Sequence, residues 1–158
     1  MGDDNYHGTC CAAIAAGRKV EVNLYGTFPL FIEGAAAEEA EVYSYKVFWG
    51  SGHCSTKKED IIDAFRAAIK DEVDVISLSL ASNFPGKSYD LDAFARGSFL
   101  AMQSGILTVA AAGNEGPKKQ TVENVAPWIL TVGASTPTTS FGTFLVVDQK
   151  QYEVIVFL

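Results

Sequence analysis

The sequence predicts an α/β fold of three layers, α/β/α, built on a mainly parallel sheet. Two observations carry that expectation. Short, almost wholly apolar runs recur along the 158-residue chain, and strands buried on both faces read this way. Between them lie longer stretches with apolar residues at helical spacing. Such alternation of strand and helix builds parallel sheets through right-handed crossovers.

The elements follow in order. Gly8 to Ala16 is rich in alanine with Ile14 inside it, and Gly17 supplies a stop, so a short buried helix is expected after His7. Val42 to Trp49 is β-rich and reads as a strand. Ser55 or Thr56 is placed to cap a helix running to about Asp71. Thr56 with Glu59 has capping-box spacing, whereas Ser55 with Glu59 is one residue too long. The inner face of that helix is Ile61, Ile62, Phe65, Ala68 and Ile69. Val73 to Leu80 follows as an apolar strand. The next helix carries Leu91, Phe94, Ala95, Phe99 and Met102 on one face and closes at Gly105. Ile106 to Ala111 and Trp128 to Val132 are two further strands. Beyond Pro137 the pattern changes. Phe141 to Val147 and Tyr152 to Leu158 read as a hairpin around Asp148-Gln149-Lys150. Residues 1–140 therefore form one α/β unit and 141–158 a hairpin-like extension, with no repeat or linker between them.

Composition narrows the function classes. With 48% hydrophobic and 20% charged residues the chain is ordinary for a globular domain. Its net charge of -7 and lack of a basic stripe argue against nucleic-acid or anionic-membrane partners. No run approaches the roughly 18 apolar residues of a membrane-spanning helix. The opening Met1-Gly2-Asp3-Asp4 is unlike a secretory leader, and Tyr6 stands where a myristoylation signal prefers Ser or Thr. Cys10, Cys11 and Cys54 make neither a disulfide framework nor metal-ligand spacing, and read as plain thiols. No metal or cofactor is expected, and the oligomeric state is left open.

Two places offer chemistry. At the end of the Ile106–Ala111 strand stands Ala112-Gly113-Asn114-Glu115-Gly116-Pro117, where an open parallel sheet gathers its functional groups. The glycines allow close backbone approach, and Asn114 presents an amide donor at the strand tip. The other place is Asn5-Tyr6-His7-Gly8-Thr9, a histidine at the start of a small-residue helix. Taken singly, the first segment merely turns the chain and the second merely caps a helix.

Together, and in order, the segments say more. His7-Gly8-Thr9 precedes an Ala-rich helix. Then come Asp74-Val75-Ile76-Ser77-Leu78-Ser79-Leu80 and Ala111-Ala112-Gly113-Asn114-Glu115-Gly116-Pro117, and last Ala126-Pro127-Trp128-Ile129-Leu130-Thr131-Val132-Gly133-Ala134. This series resembles the subtilisin-like serine proteases (subtilases), most closely their plant, cucumisin-like branch, over about residues 4–150. The resemblance implies peptide-bond hydrolysis by a Ser-His-Asp triad. His7 matches the histidine that takes and returns the proton, a task suited to an imidazole. Asn114 matches the oxyanion-hole asparagine; subtilisin is the standing example of that effect, with about 10²–10³ in rate lost on removing the donor. Within Ser77–Ser82 and Ala110–Gly113, the residues Ser79, Leu80 and Ala81, and Ala111, Ala112 and Gly113, match the two edges that receive the substrate as an added strand. Extracellular or cell-wall localisation is implied as well.

The chain departs from the family pattern in ways that bear on activity. Subtilases order the triad Asp, His, Ser along the chain, with the aspartate on a strand tens of residues ahead of the histidine. Only Asp3 and Asp4 precede His7 here, too close in sequence to reach round and orient its ring. The nucleophile belongs in a Gly-Thr-Ser context, which neither Ser135 nor Ser140 occupies. Cys10 replaces a second, non-catalytic histidine, Ala81-Ser82 replaces a glycine pair, and Phe48 replaces a cysteine that would partner Cys54. In the family fold the aspartate strand lies between those resembling Val42–Trp49 and Val73–Leu80. Without it both are expected to expose unpaired backbone, at about 1–3 kcal/mol for each unsatisfied buried group. The expectation is a partial subtilase catalytic domain, inactive alone. The competing reading is a non-catalytic pseudoprotease that binds peptides or another subtilase. A dinucleotide-binding domain is disfavoured because no G-x-G-x-x-G follows a strand.

Overall fold

The computed structural model describes residues 2–3, 5–24, 28–32, 35–49, 55–81, 86, 88–135, 142–147 and 150–155, with backbone alone considered for 22–24, 28–32, 142–147 and 151–155. Asp4, Cys54, Ser82, Ser140, Phe141, Asp148 and Gln149 lie outside the described residues. In chain order the elements are α1 (His7–Ala16), β1 (Val20–Leu24), β2 (Phe28–Ile32), α2 (Lys58–Lys70), β3 (Val75–Leu78), α3 (Ala93–Gln103), β4 (Leu107–Ala111), β5 (Ile129–Val132), β6 (Gly142–Val147) and β7 (Lys150–Ile155).

The α/β class is as expected. Strands β3, β4 and β5 form a parallel sheet in that order, Val75 opposite Leu107 and Thr108 opposite Ile129. Antiparallel hairpins β1–β2 and β6–β7 stand apart from it. The second hairpin falls where the C-terminal pattern change predicts one. The first carries Pro29 opposite Asn23, and no sequence expectation covers it.

The core lies between the sheet and the pair α2–α3. Ile61, Ile62 and Phe65 of α2 and Phe94 and Ala101 of α3 pack on Leu78, Ile106 and Ala110. The four predicted residues Ile61, Ile62, Phe65 and Ala68 are buried, and Ile69 packs at the margin. The capping box does not form. Lys57 is the N-cap, the Thr56 hydroxyl donates to the Lys57 carbonyl, and Glu59 and Asp60 in the first turn complement the helix dipole instead.

Helix α3 buries a different face from the one its large residues suggest. Phe94 and Ala95 are buried, but Leu91, Phe99 and Met102 are exposed, and the inner face is completed by Ala93, Gly97, Ser98 and Ala101. The reason is close approach. A Cβ placed on Gly97 would stand 2.1 Å from Cδ2 of Phe65, so the α2 ring sits where a side chain would be. Small residues let the two helix backbones come together, and that contact decides the rotation of α3.

Two corrections and one observation concern the other side of the molecule. Val42–Trp49 is not a strand: residues 41–48 take no regular structure, and Trp49 makes an isolated bridge with Ser55. A β-rich run becomes a strand only beside a partner, and β3 has none on its outer edge among the described residues. Helix α1 forms as predicted but buries no residue, and Ile14 is largely exposed. The third helical layer is not closed among the described residues. Val75, Leu107, Leu130 and Val132 share the sheet face opposite α2 and α3, and they are 53%, 47%, 52% and 50% exposed.

Candidate active site

The substrate-edge residues predicted from sequence are brought together. Leu78 pairs with Ala110 in the parallel ladder, so Ser79–Ala81 and Ala111–Gly113 leave β3 and β4 side by side at their carboxyl ends. A residue that sequence reasoning missed ties them. Asn124 is buried, and its Nδ2 donates to the Leu80 carbonyl at 2.8 Å and to the Ala111 carbonyl at 2.9 Å. Its own carbonyl accepts from the Thr131 hydroxyl at 2.6 Å, which links β5 to the same point. Asn124 holds φ 54, a left-handed conformation asparagine tolerates better than most residues. One amide thus fixes the spacing of both walls.

Asn114 follows from the same end of β4. Ala112 extends the ladder by donating to the Val132 carbonyl at 2.9 Å, and its own carbonyl accepts from Glu123 at 2.9 Å. Gly113 then turns at φ 90, with the buried Glu123 side chain 3.5 Å from where its Cβ would stand. Asn114 emerges exposed at the strand tip, as expected. Trp128 seats the returning strand. Its indole N–H donates to the Ala95 carbonyl at 2.9 Å and lies 3.0 Å from the Ser98 hydroxyl, with Tyr89 and Phe99 edge-on to its ring.

His7 opens α1 and is exposed. Its surroundings are set by Asp3, which the sequence excludes as a partner for the ring but whose role at the helix start it does not reveal. The Asp3 carboxylate accepts from the backbone N–H of Asn5, Tyr6 and Thr9 and from the Thr9 hydroxyl, the last at 2.6 Å. These bonds, led by the Thr9 hydroxyl, lower its pKa to about 2. Asp3 is therefore spent on the helix start and orients no imidazole. Instead, Cys11 Sγ lies 4.0 Å from Nδ1 and 3.9 Å from Nε2 of His7. Among the described residues no hydrogen bond joins His7 to Asn114, to Ser79–Ala81 or to Ala111–Gly113. Lys46 ties the α1 end to the irregular segment by donating to the Gly2 carbonyl at 2.8 Å, and the Tyr45 hydroxyl donates to Asp71 at 2.7 Å.

A parallel sheet with an amide donor at the tip of β4, walled by β3, sits within a chain whose residues 1–150 match the family model described as the subtilase family. The chain belongs to the subtilase family. Curated relatives place it in the plant branch. It is 45% identical over 132 residues to "Subtilisin-like protease SBT3.16" of Arabidopsis thaliana, covering 82% of this chain and 17% of that protein. It is 43% identical over 145 residues to "Subtilisin-like protease SBT4.12" of the same plant, covering 91% and 19%. Among solved structures, "S41 Psychrophilic Protease" aligns with a TM-score of 0.53 at 26% identity, covering 78% of this chain and 38% of that one. This subtilase chain spans about a fifth of the length of its curated relatives, 17% to 20%. Among the described residues no group of three or more His, Cys, Asp or Glu side chains is arranged to hold a metal ion, and no helix is long and apolar enough to cross a membrane.

Proposed function

We propose that this chain is part of the catalytic domain of a secreted, subtilisin-like serine endopeptidase. His7 is its general base and acid and Asn114 its oxyanion-hole donor. The edges Ser79–Ala81 and Ala111–Gly113 receive the peptide backbone on either side. Residues 1–140 are the protease-derived unit, and the hairpin region 141–158 is an extension. The observation that carries this reading is the junction at Asn124, which joins Leu80 and Ala111 and leaves Asn114 just beyond one wall.

The chemistry divides between residues the chain has and residues it lacks. A serine nucleophile must lose a proton as it attacks the scissile carbonyl, and an imidazole at its side accepts that proton and returns it to the leaving amine. The negative charge gathering on the carbonyl oxygen is met by the Asn114 amide, which is worth most where water is excluded. No serine of this sequence stands in the Gly-Thr-Ser context, and the Asp3 carboxylate is engaged elsewhere. The chain alone therefore holds substrate without cleaving it.

A fluorophosphonate, which labels activated serines, leaves this chain unlabelled. A short extended peptide shifts the backbone amide resonances of Ser79–Ala81 and Ala111–Gly113 while those of α2 stay in place. Stoichiometric fluorophosphonate labelling, or peptide hydrolysis that survives His7→Ala, overturns the assignment.

A further inference from the structure

Behind the two walls the chain turns two polar residues inward and two valines outward. Glu123 is only 2% exposed and Asn124 is buried beside it, whereas Val122 and Val125 on either side are 54% and 49% exposed. That inverts the ordinary order, in which valine is buried and glutamate stands in water. Asn124 is accounted for, because its amide ties Leu80 to Ala111. The chemistry proposed above makes no use of the Glu123 side chain.

The second wall sets its position. The Glu123 amide donates to the Ala112 carbonyl at 2.9 Å, which lays residue 123 alongside Ala112 and Gly113. From the point where a Cβ on Gly113 would stand, Cγ and Oε1 of Glu123 are each 3.5 Å away. Gly113 brings no side chain of its own, so the carboxyl group lies directly against the backbone of the wall. Asn114 is the next residue. A scissile carbonyl held by the Asn114 amide therefore sets the side chain of its own residue beside Gly113. The cleft it enters is otherwise lined by Leu80, Ala81, Ala111 and Ala112, all apolar and half-buried. An apolar cleft with an acid at its end suits a long aliphatic stem with a positive tip. Lysine and arginine lay their methylenes along apolar surface and carry the charge at the far end. Opposite charges in contact attract several times more strongly where water is excluded than in bulk solvent. An aliphatic side chain of the same length fills the cleft without that attraction, and an acidic one meets a like charge.

We propose that Glu123 is a specificity-determining residue, which makes the cleft between Ser79–Ala81 and Ala111–Gly113 select peptides with lysine or arginine at the residue whose carbonyl Asn114 receives. This selection rests on the peptide-binding role proposed above for the two walls, and it names the class of substrate they admit.

Two peptide amides test it, acetylated trialanyl-lysine and acetylated trialanyl-norleucine; norleucine keeps the stem and drops the ammonium group. Each is titrated into the 158-residue chain and followed by the backbone amide resonances of Ser79–Ala81 and Ala111–Gly113. The lysine peptide binds roughly tenfold more tightly or better, the size of one hydrogen bond to a charged group. It also moves the γ-methylene resonances of Glu123, which the norleucine peptide leaves in place. In Glu123→Gln, which keeps the shape and removes the charge, the two peptides bind within about twofold of each other. Glu72→Gln removes the same charge from the α2–β3 connection, at the opposite end of β3 from the walls, and keeps the preference. Equal affinities in the parent, or a preference that survives Glu123→Gln, overturns the selection and leaves the walls standing. Should Glu123→Gln disturb the α2 resonances as well, the parent decides alone, and γ-methylene resonances of Glu123 unmoved by saturating lysine peptide overturn the selection. Binding of neither peptide overturns the role of the walls and the selection with it, so the two failures are told apart.

Discussion

Asn124 makes a quantitative test of the site's construction. Replacing it with alanine removes two side-chain hydrogen bonds, at 2.8 and 2.9 Å, that satisfy the Leu80 and Ala111 carbonyls. Each is worth about 0.5–1.5 kcal/mol net. Alanine at φ 54 adds roughly 1–2 kcal/mol of left-handed backbone cost. The sum for Asn124→Ala is about 2–5 kcal/mol. Asn124→Gly keeps the backbone conformation free of strain and loses the hydrogen bonds alone, so it costs about 1–3 kcal/mol. With a urea m-value of about 2 kcal/mol/M, alanine lowers the unfolding midpoint by about 1–2.5 M and glycine by about 0.5–1.5 M. Hydrogen exchange locates the damage, because the Ala112 amide that donates to Val132 exchanges faster in both variants. If both variants unfold within about 0.5 kcal/mol of the parent, the size of change typical of uninvolved surface positions, Asn124 does not clamp the walls.

Four further outcomes follow from other residues. Gly97→Ala gains about 1 kcal/mol of helix propensity but drives a methyl into the Phe65 ring, so thermal unfolding shows a net loss of up to about 2 kcal/mol. In the background of Phe65→Leu, which removes the obstructing ring, the same change is neutral or stabilising. The Thr108 hydroxyl is buried with no hydrogen-bond partner among the described residues, and Thr108→Val, which keeps the shape, raises stability by about 1 kcal/mol in denaturant titration. Asp3, held near pKa 2 chiefly by the Thr9 hydroxyl, contributes order to the start of α1 above its ordinary carboxylate range. That order is lost as pH falls through about 2, so the Thr9 amide resonance moves between pH 4 and 2 in the parent and stays put in Asp3→Asn. Leu130→Gln and Val132→Gln on the open sheet face cost less than about 0.5 kcal/mol and reduce self-association in light scattering.

How far the sequence could be read depended on which force decided each element. Helix α2 was legible because its apolar stripe has a single period and meets one partner. The inward face of α3 was not, since large side chains at helical spacing were outweighed by the close fit of Gly97 against Phe65. The β-character of Val42–Trp49 is a local preference, and strands are settled by neighbours. The hairpin β1–β2 has alternation in Val20-Glu21-Val22-Asn23-Leu24, but Pro29 weakens its second strand as a signal. In the site, the strand tip bearing Asn114 and the two walls were readable from motif order. Asn124 and Asp3 were not, because their roles come from contacts at no fixed spacing: 44 residues to Leu80 in one case, six to Thr9 in the other. A buried asparagine beside an Ala-Pro-Trp turn is the only trace the first leaves in the sequence.

The two halves of the proposed site differ in mechanical standing. The walls and Asn114 grow from β3 and β4, whose inner side chains lie in the core with α2 and α3, and Asn124 locks them from behind. The helix bearing His7 buries nothing, and what holds its start is the exposed Asp3–Thr9 pair. Across from α2 and α3 lies a sheet face of Val75, Leu107, Leu130 and Val132, half-exposed and apolar. A parallel sheet is ordinarily covered on both faces, so covering this one is worth about 25 cal/mol for each Å² of apolar surface removed from water. Peptide capture by the walls therefore survives disorder in α1, whereas proton transfer by His7 does not. Melting α1 with a proline at Ala12, where the helix interior cannot accept one, separates the two. Peptide-induced shifts at Ser79–Ala81 persist, and the contact between His7 and Cys11 is lost. Loss of both together would mean that α1 and the walls are one cooperative unit.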